Sequence, residues 1–436
     1  MKAILDVEHH IAVENTANSR LTPTFALHFH GWKRPILERY FPDRRFHYLP
    51  LYISDVVFHD EWAPRILAEQ EPEIFVWSLL APEGIREFAG RHGIPLVFME
   101  DGFVRSLAPN ASRTPPLSLA IDSGTVYFDS RFPSDLERLL STYDFDHDPD
   151  LLARAGKGIR LLLETGVSKY NSAMEADVAA IYGPKDRKRV LVIGQVEDDA
   201  SILYGCDRPF TNNDLVRLAA QENPGAQILY KPHPDVLNRI RLAKSNPADV
   251  ARLCNIIDRP LSMSRAFETV DHVYTITSLA GFEALMRGLK VTVFGSPFYA
   301  GWGLTDDRQP NARRGRKLSL PALFAGAYLL YPRYFDPVSG KTVSFEAIVA
   351  LIERYLTDPP PQLSQGKPVR PVWKPWGAYG LLGWRHLLTP IVAEAVRRIG
   401  NERDVEIFRE NPIEFFRELA LPKQRAIGRL LYPFEE

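Results

Sequence analysis

Short apolar runs alternate along this chain with segments whose apolar residues recur at helical spacing. In the first half, the apolar runs predict strands at Thr24–His28, His47–Tyr52, Glu73–Leu79, Leu96–Glu100 and Val126–Asp129. The segments between them predict helices, for example at Glu83–His92 and Ser134–Thr142. This alternation favours a mostly parallel sheet that is covered by helices on both faces.

The second half repeats the alternation after helical spacing over Lys157–Tyr182 and a charged, turn-rich junction at Pro184–Arg189. The later elements are predicted as strands at Val190–Val196, Gln227–Lys231, His272–Thr275 and Val291–Phe294, and as helices at Asn213–Gln221, Ser262–Ala266, Leu279–Arg287 and Val343–Leu356. The sequence therefore predicts an α/β protein with two doubly wound, Rossmann-like domains facing a cleft, at residues 1–185 and 186–357.

Residues 358–436 are predicted to form a linker and a helical appendage. The linker is the proline-rich stretch Pro359–Gly377, and helical spacing follows at Leu387–Ile399 and Asn401–Glu418. Aromatic and basic residues occur here at Trp373, Trp376, Trp384, Arg385, Arg397 and Arg398. Such helices either pack on the first domain or lie in a membrane interface. The acids interspersed among the basic residues favour packing: Glu402, Glu406, Glu410 and Glu414.

Composition narrows the class of protein. The chain has 436 residues, 45% of them apolar and 25% charged, with a net charge of −1, so no basic field argues for nucleic acid. Two cysteines, Cys206 and Cys254, fit a reducing compartment. The first 20 residues have no apolar core of signal-peptide length, and no run of about 18 apolar residues predicts a membrane span.

Two acidic motifs follow predicted strands, where ligands collect in open α/β sheets. In MEDGFVRS, Glu100 and Asp101 precede Gly102, which permits a tight turn, and Arg105, which offers a forked donor or pairs with its own acids. In GQVEDDAS, a carboxylate is placed to act as a nucleophile towards an anomeric carbon or as a general base. The three acids also resemble a metal cluster, although alternating directions disfavour a shared cation. Asp198, Asp199 and Ser201 are equally good helix N-caps.

Two further motifs predict an anion site. In KPHP, Lys231 and His233 end a strand, and the flanking prolines stiffen the histidine as a donor to a phosphate or as a general acid. In TITSLAGFEALMRG, Thr277 and Ser278 start a helix whose N–H groups favour an anion. Gly281 allows a ligand to approach, and Glu283 is placed for ribose hydroxyls. An ordinary capped helix is the alternative.

The loop FGSPFYAGWGLTDDR, at Phe294–Arg308, is rich in glycine and aromatic residues. Loops of this kind often carry function. Tyr299, Trp302 and Asp306 are candidates for lining an acceptor or base pocket. The alternative is a loop that packs its aromatic side chains on the domain.

Together with YFDPVSGK at Tyr334–Lys341, these motifs resemble the bacterial capsule-polysaccharide synthesis family of β-Kdo glycosyltransferases (Kdo is 3-deoxy-manno-octulosonic acid). The resemblance spans about Leu96 to Leu356. It implies a GT-B-like architecture, CMP-Kdo as donor, retention of the β configuration, a Kdo-containing or lipid-linked glycan acceptor, and the cytoplasmic face of the inner membrane. Capsule-linker members often carry two such modules, whereas this sequence contains one.

The resemblance also implies roles for individual residues. An acid of GQVEDDAS is the nucleophile, with Asp199 favoured over Asp198, and Glu100 or Asp101 serves the acceptor hydroxyl. His233 belongs to both the catalytic and the donor-binding set. The remaining donor-binding residues are Gln195, Lys231, Thr277, Ser278, Leu279, Ala280, Gly281 and Glu283. No metal and no cofactor other than the donor substrate is expected.

Two other hypotheses remain open at this point. The fold also fits a transferase that uses another nucleotide sugar, or a nucleotide-sugar epimerase. A non-catalytic protein of capsule export or glycan binding would keep the same architecture without turnover.

Overall fold

The computed structural model describes residues 21–49, 53, 55–105, 114–167, 177–237, 245–259, 261–358, 388–399 and 422–432, and a few positions between 405 and 419. The N-terminal 20 residues, the proline-rich linker and most of the predicted helix Asn401–Glu418 lie outside these ranges, as do Trp373, Trp376, Trp384 and Arg385.

The described strands form two sheets. They are β1 Thr22–Leu27, β2 Arg44–Tyr48, β3 Glu73–Trp77, β4 Leu96–Asp101, β5 Ser118–Asp122, β6 Arg189–Ile193, β7 Gln227–Lys231, β8 Asn255–Ile256, β9 His272–Thr275, β10 Lys290–Val293, β11 Asp306–Asp307, β12 Arg333–Phe335 and β13 Thr342–Val343. The order in the first sheet is β13-β12-β5-β4-β3-β1-β2, and in the second it is β11-β10-β9-β6-β7-β8.

Helices surround both sheets. They are α1 Arg34–Tyr40, α2 Asp55–Val57, α3 Ala63–Leu67, α4 Ile85–His92, α5 Asp135–Thr142, α6 Pro149–Thr165, α7 Val178–Tyr182, α8 Ala200–Gly205, α9 Asn212–Glu222, α10 Pro234–Leu237, α11 Met263–Ala266, α12 Leu279–Met286, α13 Leu320–Phe324, α14 Phe345–Thr357, α15 Thr389–Ile399 and α16 Pro422–Leu431. A π-helical turn at Phe58–Trp62 joins α2 to α3, and another at Ala325–Leu330 continues α13. The remaining helical turns are of 3₁₀ type, at Gly31–Lys33, Phe145–His147 and Pro247–Val250.

The second sheet is parallel at every described pairing. Its central strand β6 is buried along its whole length, from Arg189 to Ile193. Strands that are covered on both faces read as continuous apolar runs, which is why the sequence predicted this sheet closely.

The first sheet is mixed, so the prediction of a mostly parallel sheet holds only for β2-β1-β3-β4. The strand predicted at Val126–Asp129 is wrong, because the fifth strand is β5 and the chain turns after it. Asp122 fixes that turn by accepting hydrogen bonds from the N–H groups of Gly124 (2.8 Å) and Thr125 (2.9 Å). Val126 is buried as a core residue of the following loop.

The chain returns to the first sheet before residue 357. Strands β12 and β13 extend that sheet antiparallel to β5, and helix α14 packs on α6 and β12. The division into domains at residues 185 and 357 stays a prediction, but the sheets do not follow its second boundary. One continuous apolar core joins the two halves, and within it the Phe103 and Phe298 rings are 4.5 Å apart.

The helical tail has an apolar cluster of its own. The cluster consists of Ala393, Val405, Phe408, Phe415, Phe416 and Tyr432. Among the described residues, no helix is long and apolar enough to cross a membrane.

A buried ion cluster ties helix α5 to the loop that follows β11. The Glu137 carboxylate accepts from Arg314 Nε at 2.9 Å and from Arg313 Nε at 2.5 Å. Arg314 also donates to the carbonyls of Pro297 and Ala300, and its side chain is only 3% exposed. Burial lowers the pKa of Arg314, so this guanidinium depends on the carboxylate beside it.

Replacing Glu137 by alanine should therefore destabilise the protein strongly. A buried charge without its partner costs about 3–5 kcal/mol of unfolding free energy, measurable by urea denaturation. The matched control is Glu346→Ala, because Glu346 pairs with Arg154 at a site where both side chains are more than 40% exposed. That change should cost less than about 1 kcal/mol. Equal losses in the two variants would contradict this account.

Candidate active site

The polar motifs of the second half leave one edge of the second sheet. Ile193 at the end of β6 is paired with Lys231 of β7 on one side and with Thr275 of β9 on the other. The segments that follow these strands, residues 194–199, 232–233 and 276–278, form the second-sheet edge. The prediction that these strand ends are neighbours is confirmed, and such an edge is where open parallel sheets bind ligands.

Gln195 joins two of these segments through its side chain. Its Oε1 accepts from the Thr277 N–H at 2.8 Å, and its Nε2 donates to Thr277 Oγ1 at 3.0 Å. Its main chain is held by Asn212, which accepts from the Gln195 N–H and donates to the Gln195 carbonyl. Gln195 is therefore a buried brace that connects the end of β6 to the end of β9. In this position it fixes Thr277 at the candidate site.

Asp199 is connected to the same brace. It is the N-cap of α8, and its Oδ1 accepts from the Ser201 N–H (2.9 Å) and hydroxyl (2.7 Å). Ser201 Oγ in turn accepts from Thr277 Oγ1 at 3.2 Å. The Ser201 side chain thus links the half-buried Asp199 carboxylate to Thr277, the residue before Ser278.

The acids beside Asp199 differ from it in environment. Glu197 is buried and structural, because it accepts from the Asn212 N–H (2.7 Å) and from both the N–H and the hydroxyl of Ser245. Asp198 is half-buried. Among the described residues, no group of three or more His, Cys, Asp or Glu side chains is placed to hold a metal ion.

Lys231 brings a positive charge to the second-sheet edge. It is 6% exposed, and within the part of the chain that the structure describes no carboxylate pairs with it. Burial alone lowers the pKa of its ammonium group. An unpaired buried cation at a strand end is well suited to hold an anionic ligand.

His233 and Ser278 begin the helices at this edge. The His233 carbonyl accepts from the N–H groups of Val236 and Leu237, and its side chain is half-buried. Ser278 caps α12, accepting from the Ala280 N–H at 3.2 Å. Among the described residues, the Leu279 N–H has no hydrogen-bond partner. This N–H and the helix dipole could receive an anion, whose binding here stays a prediction.

Gly281 has a different role from the one predicted. A β-carbon there would overlap the hydroxyl of Tyr299, which donates to the Ser278 carbonyl at 2.5 Å. Tyr299 therefore occupies the space next to Gly281 in which a ligand was expected. The glycine is needed because Tyr299 packs against it. Glu283 is buried one turn further on, in a pocket lined also by Phe103, Val104, Met286, Arg287 and Tyr328. Its predicted contact with ribose stays a prediction.

In the first sheet, the two acids of MEDGFVRS lie in different environments. Asp101 is buried in an ion pair with the fully buried Arg105, at 2.5 Å, which is the structural alternative raised for this motif. Gly102 is required because a β-carbon would overlap the Ser118 side chain. Glu100 is half-buried at the end of β4. The geometry thus favours Glu100 over Asp101 for any contact with an acceptor.

The aromatic loop at Phe294–Arg308 packs its aromatic side chains on the domain, which was the structural alternative for this motif. Trp302 is fully buried, and its Nε1 donates to the Phe298 carbonyl at 2.8 Å. Asp306 lies in β11 and accepts from Thr292 and Arg308. Trp302 is therefore engaged inside the domain and is a poor candidate for lining an open pocket. The Asp306 side chain is 55% exposed and is paired with Arg308.

Several polar residues of interest were not singled out from the sequence. Ser201 was considered only as a cap, although it relays Asp199 to Thr277. His28 and Ser78 leave β1 and β3 in left-handed backbone conformations, with φ of 61° and 57°. The stretch HFHGWKR, residues 28–34, carried the signal for His28, because it sets two histidines and two cations directly after a strand.

Comparison with known proteins identifies the family. Residues 74–165 and 152–334 match the capsule polysaccharide biosynthesis protein family. The lipopolysaccharide-processing protein LpsZ of Rhizobium meliloti is 44% identical over 77% of this chain and 76% of its own. This chain belongs to the capsule polysaccharide biosynthesis family. The capsule polysaccharide modification protein LipA of Neisseria meningitidis is 36% identical over 81% of this chain, but the match spans about half of LipA (48%).

Two solved structures share the fold of this chain. The KpsC β-Kdo 2,4-transferase of Thermosulfurimonas dismutans superimposes with a TM-score of 0.64 at 30% identity, over 77% of this chain and 98% of that one. The KpsC β-Kdo 2,7-transferase of the same organism gives 0.59 at 32% identity, over 76% and 99%. The predicted GT-B-like α/β architecture is confirmed by these matches.

Proposed function

We propose that this protein is a retaining β-Kdo glycosyltransferase that moves Kdo from CMP-Kdo to a glycan or glycolipid acceptor in the synthesis of a surface polysaccharide. The solved relatives are named as β-Kdo transferases, which supports the reaction class. The observation that carries the proposal is the side-chain relay from Asp199 through Ser201 to Thr277, which sets a carboxylate beside the start of α12.

The second-sheet edge supplies what such a reaction needs. In the first step, the Asp199 carboxylate attacks the anomeric carbon of Kdo, and the bond to the phosphate oxygen of CMP breaks. Both hydrogen bonds of Asp199 use Oδ1, so Oδ2 is the attacking oxygen. The departing phosphate is held by Lys231, His233 and the Leu279 N–H, which offset its charge.

In the second step, an acceptor hydroxyl attacks the same carbon and releases Asp199. Its proton passes to a carboxylate, for which Glu100 is our candidate. Two displacements at one carbon restore the original configuration, which accounts for retention. The nucleophile and the base come from different sheets, so their environments can be tuned separately.

Replacing Asp199 by alanine should abolish transfer while leaving the fold intact. We expect a loss on the order of 10³-fold or more, the scale on which enzymes lose activity with their nucleophile. The measurement is product formation from CMP-Kdo and a synthetic Kdo-terminated acceptor, followed by mass spectrometry. The product anomer should be β. Transfer that survives in Asp199→Ala and disappears in Asp198→Ala would reassign the nucleophile, and absence of transfer by the wild type would refute the proposed reaction.

The donor site can be tested without turnover. CMP should raise the thermal midpoint of the wild type, since a ligand that binds only the native state stabilises it, and UDP should not. Lys231→Met should remove most of this shift without lowering the midpoint of the ligand-free protein, because the buried ammonium has no ion pair to lose. The control is Lys185→Met, since Lys185 is exposed and pairs with Asp271. Equal stabilisation by UDP would favour a transferase with another donor, or an epimerase.

We also propose that the tail contacts the anionic surface of the inner membrane from the cytoplasmic side, through helix α16. The helix carries Lys423, Arg425 and Arg429 and no acidic residue. Its Ile427 and Leu430 are 53% and 74% exposed. Exposed apolar residues beside cations are typical of helices that lie in a membrane interface. Among the described residues, the apolar cluster of the tail contains Tyr432 and three phenylalanines but neither Ile427 nor Leu430.

Vesicles with phosphatidylglycerol should therefore bind the full-length protein, and binding should weaken with salt. The double variant Ile427→Asp, Leu430→Asp should bind at least tenfold more weakly, because each large apolar side chain contributes about 1.5–3 kcal/mol on burial. Leu253→Asp, at another exposed leucine, is the control. Co-sedimentation measures binding. Unchanged vesicle binding by the double variant would contradict membrane contact by α16. A wild-type dimer that the double variant loses, without any loss of vesicle binding, would also contradict it.

A further inference from the structure

Helix α8, whose N-cap is Asp199, is too short to keep its direction by itself. It spans only six residues, Ala200–Gly205, and an isolated helix of that length is not stable in water. Its direction is therefore set by the groups that contact its two ends. At the N-terminal end these groups include the hydroxyls of Ser201 and Thr277, which link Asp199 to the second-sheet edge.

The C-terminal end of α8 is held from both halves of the chain. The Tyr204 carbonyl accepts two hydrogen bonds from Ser130, one from its N–H at 3.1 Å and one from its hydroxyl at 3.0 Å. The Gly205 carbonyl accepts from the Ser296 N–H at 2.8 Å and from Gln309 Nε2 at 3.2 Å. The last carbonyls of a helix have no partner inside it, so a helix end needs such donors whatever its role. These bonds alone therefore do not indicate a part in catalysis.

The Tyr204 side chain makes a further contact with the first half, and capping does not require it. The Arg131 guanidinium lies 4.2 Å from the centroid of the Tyr204 ring. Asp129 fixes that guanidinium, because its carboxylate accepts from Arg131 Nε at 2.8 Å and from Arg131 Nη2 at 3.0 Å. The Asp129 side chain is fully buried, so it needs this cation as a partner.

The contact with Tyr204 ends an alternating series of rings and guanidinium groups. The Phe132 ring lies between two cations, with its centroid 5.8 Å from the Arg131 guanidinium and 5.5 Å from that of Arg86. The Arg86 guanidinium in turn lies 4.2 Å from the centroid of the Phe98 ring. A continuous set of contacts therefore connects strand β4 to helix α8. We call it the arginine stack, and its members are Phe98, Arg86, Phe132, Arg131 and Tyr204.

The arginine stack starts on the face of the first sheet that carries Glu100. Phe98 and Glu100 are two residues apart on β4, so their side chains lie on the same face. The stack ends on the helix whose N-cap is Asp199. It thus joins the strand of the candidate base to the helix of the candidate nucleophile. Misplacing a reacting group by about 1 Å can cost about 10²-fold in rate, so an enzyme gains from fixing such a separation.

We propose that Arg131 and Tyr204 are positioning residues of the transfer reaction, which hold α8 against the first half and so set the direction of the Asp199 carboxylate relative to Glu100. Both residues act through α8 and not by contact with either substrate. This inference rests on the proposed function, which supplies the roles of Asp199 and Glu100, and it adds the contacts between the two halves that keep those two acids in register.

The test breaks the arginine stack at α8 without leaving a buried charge unpaired. Tyr204→Leu removes the ring, and Arg131→Lys removes the flat guanidinium but keeps a cation beside Asp129. The conservative control is Tyr204→Phe, which retains the ring. The matched control is Arg65→Lys, because Arg65 lies 4.9 Å from the centroid of the Trp62 ring, outside the arginine stack. Each protein is assayed for the kcat of Kdo transfer and for CMP binding by calorimetric titration.

We expect kcat to fall about tenfold or more in Tyr204→Leu and in Arg131→Lys, because a misdirected carboxylate reacts more slowly. The Kd for CMP should match that of the wild type, since the residues proposed to bind the donor are unchanged. Tyr204→Phe and Arg65→Lys should keep the wild-type kcat. An unchanged kcat in Tyr204→Leu would overturn the inference. An equal loss in Tyr204→Phe, or a parallel loss of CMP binding, would also overturn it.

Amide hydrogen exchange separates this outcome from that of the proposed function. The N–H groups of Ile202 and Leu203 donate to the Asp199 carbonyl, so their exchange reports on the helix itself. Exchange in a peptide over residues 199–206, measured by mass spectrometry, should be faster in Tyr204→Leu than in the wild type and unchanged in Tyr204→Phe. If the wild type transfers no Kdo, the proposed function is refuted and exchange alone decides. Faster exchange in Tyr204→Leu would then support the positioning of α8, and unchanged exchange would refute it.

Discussion

The position of the two sheets relative to each other depends on the pairing of the Glu137 carboxylate with Arg313 and Arg314. This carboxylate lies in the interior on helix α5 and accepts hydrogen bonds from two guanidinium groups of the loop after β11. Arg314 also donates through Nη1 to the carbonyls of Pro297 and Ala300, within the loop that carries Tyr299. An ion pair sealed from water is rigid because every alternative leaves a charge unsatisfied. The same contact thereby fixes the loop that braces the start of α12.

The candidate site shows the same economy on a smaller scale. Gln195 uses both polar atoms of its side-chain amide to bind Thr277. The Thr277 hydroxyl donates a hydrogen bond to Ser201, whose hydroxyl donates to Asp199. Each of these groups is satisfied by the next, so the carboxylate is aimed without help from a ligand. Preorganised polar groups of this kind keep their orientation when charge develops beside them, and that is the property an enzyme requires at a leaving phosphate.

How much of the fold and of the candidate site could be predicted depended on how far apart in sequence the interacting residues lie. The buried parallel strands, such as β7 and β9, were predicted within their bounds because continuous apolar runs announce them. Strand β5 was missed because its mixed sequence, Ser118–Asp122, does not show the pattern of a covered strand. Partners from distant segments were not predictable either. Sequence could not show that Ser245 binds Glu197, 48 residues away, and so could not identify Glu197 as a structural acid.

The return of the chain to the first sheet has a consequence for synthesis on the ribosome. Because β12 and β13 complete a sheet begun by β1 to β5, the second sheet is an insertion within the first. The β5 edge of the first sheet lacks its partner strand β12 until the ribosome has synthesised about two hundred further residues. The second sheet takes all its described strands from the inserted segment, so it can fold during that interval. The second sheet would then form first, and the first sheet would be completed last.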